Sequence, residues 1–235
     1  MATRLQNVVV NTVDRLAQAE FWSSALGVEM GYRDDVKVDI PLTGLDIVFV
    51  TASDPKTVPN RLHFDLASAS RVDQEATVRR LRGLGAVPVD IGQGRVPWVV
   101  LADPEGNEFC VLDPREEYRN TGPLAAVVVD AVDPSSLAVF WSAAAGWPVV
   151  HSRPQLASLR AASGQGPWVE FIEGEPKKVR NRLHFNVRPG TSDQFADEVA
   201  RLRGLGAVPV DIGQGRVPWV VLADPEGNEM CVLQS

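Results

Sequence analysis

An almost perfect internal repeat constrains this chain more than any other feature. Residues 80–112 (RLRGLGAVPVDIGQGRVPWVVLADPEGNEFCVL) recur at 201–233 with one change in 33 positions, Phe109 becoming Met230. The match begins earlier, with Asn60–Phe64 (NRLHF) against Asn181–Phe185. A period near 120 residues is too long for a solenoid and fits two copies of a whole domain. The front halves match only sparsely, chiefly at Phe21, Trp22 and Gly27 against Phe140, Trp141 and Gly146. Two domains are therefore expected, 1–113 and 124–235, with nearly identical back walls and divergent front walls. Residues 114–123 between them are charged and Pro/Gly-flanked, as suits a linker.

Each copy has roughly 110–120 residues, enough to bury one core. The net charge of −7 comes without a Lys/Arg cluster, which argues against a nucleic-acid or anionic-membrane partner. No basic segment with a long apolar stretch opens the chain, so no signal peptide is expected. No run approaches the ~20 apolar residues of a membrane span. The two cysteines, Cys110 and Cys231, hold equivalent repeat positions, one per copy. A disulfide between separate cores is not expected, and a reducing cytoplasm fits best.

Leu5–Asn11 is strand-like, and Asp14 then caps a helix that Gly27 stops. In copy two, Asp133 and Pro134 supply the N-cap and first helical position. Leu137, Phe140, Trp141 and Ala144 share the buried face of that helix. Further strands are expected at Asp46–Thr51 and Trp168–Ile172. The second half of copy one reads as a strand at Leu62–Leu66 and a helix over Arg71–Leu84. Strands at Val87–Ile91 and Trp98–Ala102 follow, with a hairpin return at Glu108–Leu112. The DPEGN segment between the last two is a turn by composition. In copy two Phe195, Val199 and Leu202 form one stripe, with Thr191 and Gln194 shaped like a capping box. Each copy thus reads β-α-β-β-β twice, an α+β architecture.

These motifs carry a family resemblance. The FW…G element after the first strand, the NRLHF strand and the closing WVVLADPEGNEFCVL resemble the vicinal oxygen chelate superfamily. That superfamily includes glyoxalase I, extradiol dioxygenases and bleomycin-resistance proteins. The resemblance implies four tandem βαβββ modules paired into two cup-shaped domains, with the chemistry inside each cup. It implies a metal held by one ligand from the first strand and one carboxylate from the last strand of each unit. Carried over, the first-strand positions are Asn7 and His63 in copy one, Ala126 and His184 in copy two. The carboxylate positions are Val48 and Cys110, then Glu170 and Cys231. Neither copy holds a complete family set. Copy one offers Asn7, His63 and Cys110; copy two offers Glu170, His184 and Cys231. No cofactor follows from this, although a divalent metal at His63, His184 or Glu170 stays open.

Period-two alternation puts His63 and Asp65 on one strand face and Leu62, Phe64 and Leu66 on the other. It likewise groups Glu108 with Cys110, opposite Phe109 and Val111. If His63 faces the cup, His63 with Asp65, or Glu108, can serve as a general base. Against this, a strand histidine is commonly structural, and Glu108 suits a rim ion pair with Arg61 or Arg95. Buried cysteines usually act as small hydrophobes. Trp98 and Trp219 are core aromatics or platforms for a planar ligand. Gly92-Gln93-Gly94 suits a lip over the cup, and His151 suits the surface or rim.

Three functions follow. The first is a protein binding a small organic ligand in its cup, or a metal-independent enzyme, with Asn7, Trp98, Cys110, Glu170, His184, Trp219 and Cys231 as ligand contacts. The second is a divalent-metal lyase or dioxygenase using a non-standard set such as His63, Glu108 and Asn7. The third is a non-catalytic domain pair serving assembly. Copy one is the better candidate for base chemistry through Asp65, and copy two for residual metal binding through Glu170. A monomer or loose homodimer is expected, since a fused pair can satisfy the family's dimer interface within one chain.

Overall fold

A computed structural model describes residues 3–190 and 195–234. The capping box read at Thr191 and Gln194 lies outside the described residues. The first unit comprises β1 (Arg4–Thr12), α1 (Arg15–Leu26), β2 (Lys37–Ile40) and β3 (Asp46–Thr51), with an extra bridge from Arg33 to Val38. The second comprises β4 (Leu62–Leu66), α2 (Arg71–Gly83), β5 (Val87–Pro88), β6 (Val99–Ala102) and β7 (Glu108–Val111). The third is β8 (Leu124–Ala131), α3 (Pro134–Ala145), β9 (Val149–Arg153), β10 (Leu156–Leu159) and β11 (Trp168–Glu173). The fourth is β12 (Leu183–Arg188), α4 (Phe195–Gly204), β13 (Val208–Pro209), β14 (Trp219–Ala223) and β15 (Glu229–Leu233). The fold is α+β, and the four expected units are present.

Local signals placed the helices well. The Asp14 carboxylate accepts from the backbone N–H of Leu16 and Ala17, and Gly27 ends α1 at φ 66°, where a Cβ would be strained. Asp133 caps α3 in the same way, with Pro134 in its first turn. Leu137, Phe140, Trp141 and Ala144 are all buried, as their spacing requires.

The units pair crosswise between the repeats. One sheet of seven strands runs β13-β14-β15-β12-β1-β3-β2, joining the first unit to the fourth. The other, of eight strands, runs β5-β6-β7-β4-β8-β11-β10-β9, joining the second to the third. We call them sheet A and sheet B. β1 lies antiparallel to β12, with Val9 opposite His184, and β4 antiparallel to β8, with His63 opposite Val128. This corrects the assignment of one cup to each repeat. The sequence could not distinguish the pairings, because β4 and β12 share the same LHF edge.

One continuous hydrophobic core joins the two sheets. Phe64, Phe109, Val127 and Phe171 of sheet B belong to it together with Val8, Phe49, Phe185 and Met230 of sheet A. Trp22 of α1 meets Phe64 and Phe109 edge-on at 5.1 and 5.0 Å, and Trp141 of α3 meets Phe185 at 5.0 Å. The opposite faces of both sheets, carrying His63 and His184, form the cups.

The DPEG turns are more than turns. Glu105 accepts from Thr12 and from the backbone N–H of Val13 and Asp14, and pairs with Arg182 at 2.8 Å. Glu226 accepts from the N–H of Val132 and Asp133 and pairs with Arg61. Each turn glutamate therefore holds a helix start together with an arginine of the other repeat. Asp103 and Asp224 accept the indole N–H of Trp22 and Trp141, at 3.1 and 3.0 Å.

Candidate functional site

Strand register sets out each concave face in rows. On sheet B one row reads His63, Val128, Glu170, Ser158 and His151, and the next reads Val100, Cys110, Asp65, Ala126 and Trp168. On sheet A the rows are His184, Val9, Val48 and Asp39, then Val221, Cys231, Asn186, Asn7 and Asp46. The alternation read for β4 and β7 therefore holds.

Sheet B gathers the strongest titratable cluster. His63 Nε2 lies 3.5 Å from Asp65 Oδ1. Burial pushes the His63 imidazole down to about 4, so the ring is neutral at pH 7. Burial, reinforced by the Glu170 charge, pushes the Asp65 carboxyl up to about 7. Burial also raises Glu170 and the Cys110 thiol, so Cys110 alone is no nucleophile. Asp65 Oδ1 is buried without a hydrogen-bond partner.

The inter-repeat segment lies over this face. Residues Glu116–Tyr118 form one turn of 3-10 helix, and the buried Tyr118 hydroxyl donates to Glu170 Oε1 at 3.0 Å. The Trp168 indole N–H donates to the Glu117 carbonyl, and the Arg115 guanidinium sits 5.7 Å above the Trp98 ring. Tyr118, Trp168, Cys110, Ala126 and Val128 form a second apolar cluster, separate from the main core. Residues 114–123 are thus a cover for sheet B as well as a connection.

Sheet A is built from the same back wall with different chemistry. Asn186 stands where Asp65 stands in sheet B, and Asn7 is its cross-strand neighbour. The Oδ1 atoms of both are buried without partners. The His184 ring, lowered to about 4 chiefly by burial, approaches Cys231 Sγ at 3.7 Å. Trp219 at the rim is 37% exposed, which sets it apart from a core aromatic.

Several expected groupings are therefore not assembled. Asn7 belongs to sheet A, away from His63 and Glu108 on sheet B, so the set His63–Glu108–Asn7 does not form. Glu170 belongs with His63, not with His184, which moves the carboxylate at a family ligand position to sheet B. Glu108 is held by Lys56 at 2.6 Å and by the Asn60 N–H, rather than by Arg61 or Arg95. Arg61 instead reaches Asn228, Glu226 and the Glu175 carbonyl. His151 is exposed on the edge strand, in keeping with the surface or rim reading, and its place in the concave row is marked by a bond to Ser158 Oγ at 2.9 Å and stacking on Trp168. Alternation along β9 and β10 could have found it.

The family's four-ligand metal centre does not fit sheet A. Its carboxylate positions hold Val48 and Cys231, its first-strand positions hold Asn7 and His184, and the carboxylates of that face, Asp39 and Asp46, stand at neither kind of position. On sheet B, Ala126 breaks the family set and Glu170 is already bonded to Tyr118.

A model of the glyoxalase-like domain matches residues 7–112 and again 126–233. The chain belongs to the glyoxalase-like domain family, as two tandem copies. Glyoxalase I from Zea mays shares its fold with a TM-score of 0.70 at 15% identity, covering 99% of this chain and 92% of that one. A point variant of the same maize enzyme gives 0.68 at 15% identity, over 98% and 93% of the two chains. A Bacillus subtilis protein provisionally designated a dioxygenase gives 0.60 at 11%, over 99% and 84%. Likeness at these identities establishes the fold alone. No curated protein matches in sequence. Among the described residues no helix is long and apolar enough to cross a membrane.

Proposed function

We propose that the protein binds a small, flat organic molecule on the concave face of sheet A, without a metal ion. One observation carries this reading. Asn7 and Asn186 sit side by side on that face, each with a buried carboxamide oxygen that nothing in the protein satisfies. Buried acceptors without donors are costly, and a ligand bearing N–H or O–H groups would satisfy both. The neutral His184 ring supplies a further polar contact, and the half-exposed Trp219 supplies a stacking surface. On sheet B the corresponding space faces Tyr118 and Arg115. In this reading the protein is a cytoplasmic monomer or loose dimer with a small-molecule partner, its two buried free cysteines suited to a reducing compartment.

The test is ligand-observed NMR with a panel of planar lactams and phenols, against the wild type and Asn186→Leu, with and without chelator. Binding that survives chelator and vanishes in Asn186→Leu supports the reading. Hits that persist in the variant, or need a metal, overturn it.

A further inference from the structure

We propose that the second unit alone holds a divalent metal of borderline-soft character, zinc in type, between His63, Asp65 and Cys110. Among the described residues, His63, Asp65 and Cys110 are the group of nitrogen, oxygen and sulfur donors drawn together, with ligand atoms all within 4.8 Å of one another. The backbone produces this closeness. His63 and Asp65 are two apart on β4 and so share a face, and Cys110 stands directly opposite Asp65 on the parallel neighbour β7. Asp65 is 8% exposed, and its Oδ1 has no hydrogen-bond partner. A carboxylate so placed needs a cation or a proton.

The donor set matches zinc chemistry: one neutral imidazole, one carboxylate and one sulfur that the metal would bind as thiolate, with a fourth position for water. Metal binding releases the thiol proton to solvent, so affinity should fall at low pH. This arrangement differs from the one the family resemblance implies, which draws ligands from two units. Here all three come from one unit, and Asp65 is not a position that resemblance assigns.

The second repeat is a built-in control. Its fourth unit keeps the histidine and cysteine as His184 and Cys231, but carries Asn186 in place of Asp65. A neutral carboxamide is a poor ligand for a zinc-type ion, and there the thiol and imidazole contact each other directly at 3.7 Å. The chain is therefore expected to bind one such metal, not two. The site is independent of the sheet A ligand proposed above.

The full chain, stripped with chelator under reducing conditions, would be titrated with Co2+ and read by absorption, since a cobalt–thiolate bond gives a charge-transfer band. The expected result is one Co2+ per chain with that band, displaced by Zn2+. Cys110→Ser should abolish the band, Asp65→Asn should abolish stoichiometric binding, and Cys231→Ser should leave both unchanged. Asn186→Asp should add a second equivalent. The circular dichroism spectrum of each variant checks that it is folded. Absence of the band in the wild type, or its loss in a folded Cys231→Ser, would overturn the proposal.

Discussion

Tyr118 donates its phenolic hydrogen bond to Glu170 across 3.0 Å, tying the segment between the repeats to the last strand of the third unit. The bond is buried, and it makes the connecting segment part of the sheet B cup. Replacing Tyr118 with Phe keeps the ring but leaves the Glu170 carboxyl without its donor. The expected loss is about 1–3 kcal/mol of stability. Urea unfolding of the Tyr118→Phe variant measures it, and an unchanged midpoint would show that the bond contributes nothing.

The crosswise pairing makes a prediction about the isolated first repeat. Residues 1–113 contain β1 and β4, whose partners β12 and β8 lie in the other repeat. Two copies could restore both cups by pairing β1 of each with β4 of the other, because β4 carries the same LHF strand as β12. The fragment should be a dimer by light scattering. A cooperatively folded monomer would show that the units can also close within a repeat.

What the sequence made legible divides along physical lines. Capping at Asp14 and Asp133, and the alternation of His63, Phe64 and Asp65, depend on neighbours a few residues away, and both were readable. Crosswise pairing depends on a choice between two strands of nearly identical sequence, which no local pattern encodes. The same limit misplaced the site. Asn7 and Glu170 were assigned to cups by repeat membership, and the strand order exchanges them. The roles of Glu105 and Glu226 were hidden because a turn composition explains those residues completely without their long-range partners.

Asp130 gives a pH signature away from the proposed metal site. Burial raises its carboxyl to about 6, opposed by the Arg61 charge. The unfolded chain titrates this group near 3.8, so the folded state favours the protonated form. Its contribution is therefore fully present below pH ~4 and is lost as the pH rises through ~6. Because the group is partly solvated, the loss should be about 1–2 kcal/mol, less than its full shift implies. Asp130→Asn should flatten the slope between pH 4 and 7 by that amount, leaving the part that the raised Asp65 carboxyl contributes over the same range, and stabilise the protein at neutral pH. Equal slopes in variant and wild type, by thermal unfolding across the pH range, would exclude Asp130 as the cause.

Glu105 joins three elements through one carboxylate: the Thr12 hydroxyl, the backbone N–H groups of Val13 and Asp14 before α1, and Arg182 in the other repeat. Its side chain and that of Arg182 are only 15% and 12% exposed. Truncation to Ala frees the donors that precede α1 and leaves the Arg182 guanidinium short of its counter-ion. Losses of this kind reach about 3–5 kcal/mol for a fully buried pair, and partial exposure here points to about 2–4 kcal/mol. Glu226→Ala should cost a similar amount, since Arg61, Val132 and Asp133 repeat the arrangement. The two clusters share no residue, so the double variant should lose close to the sum of the two single losses. A double variant no less stable than either single one, measured by denaturant unfolding, would mean that the two latches open together and that the cups do not separate independently.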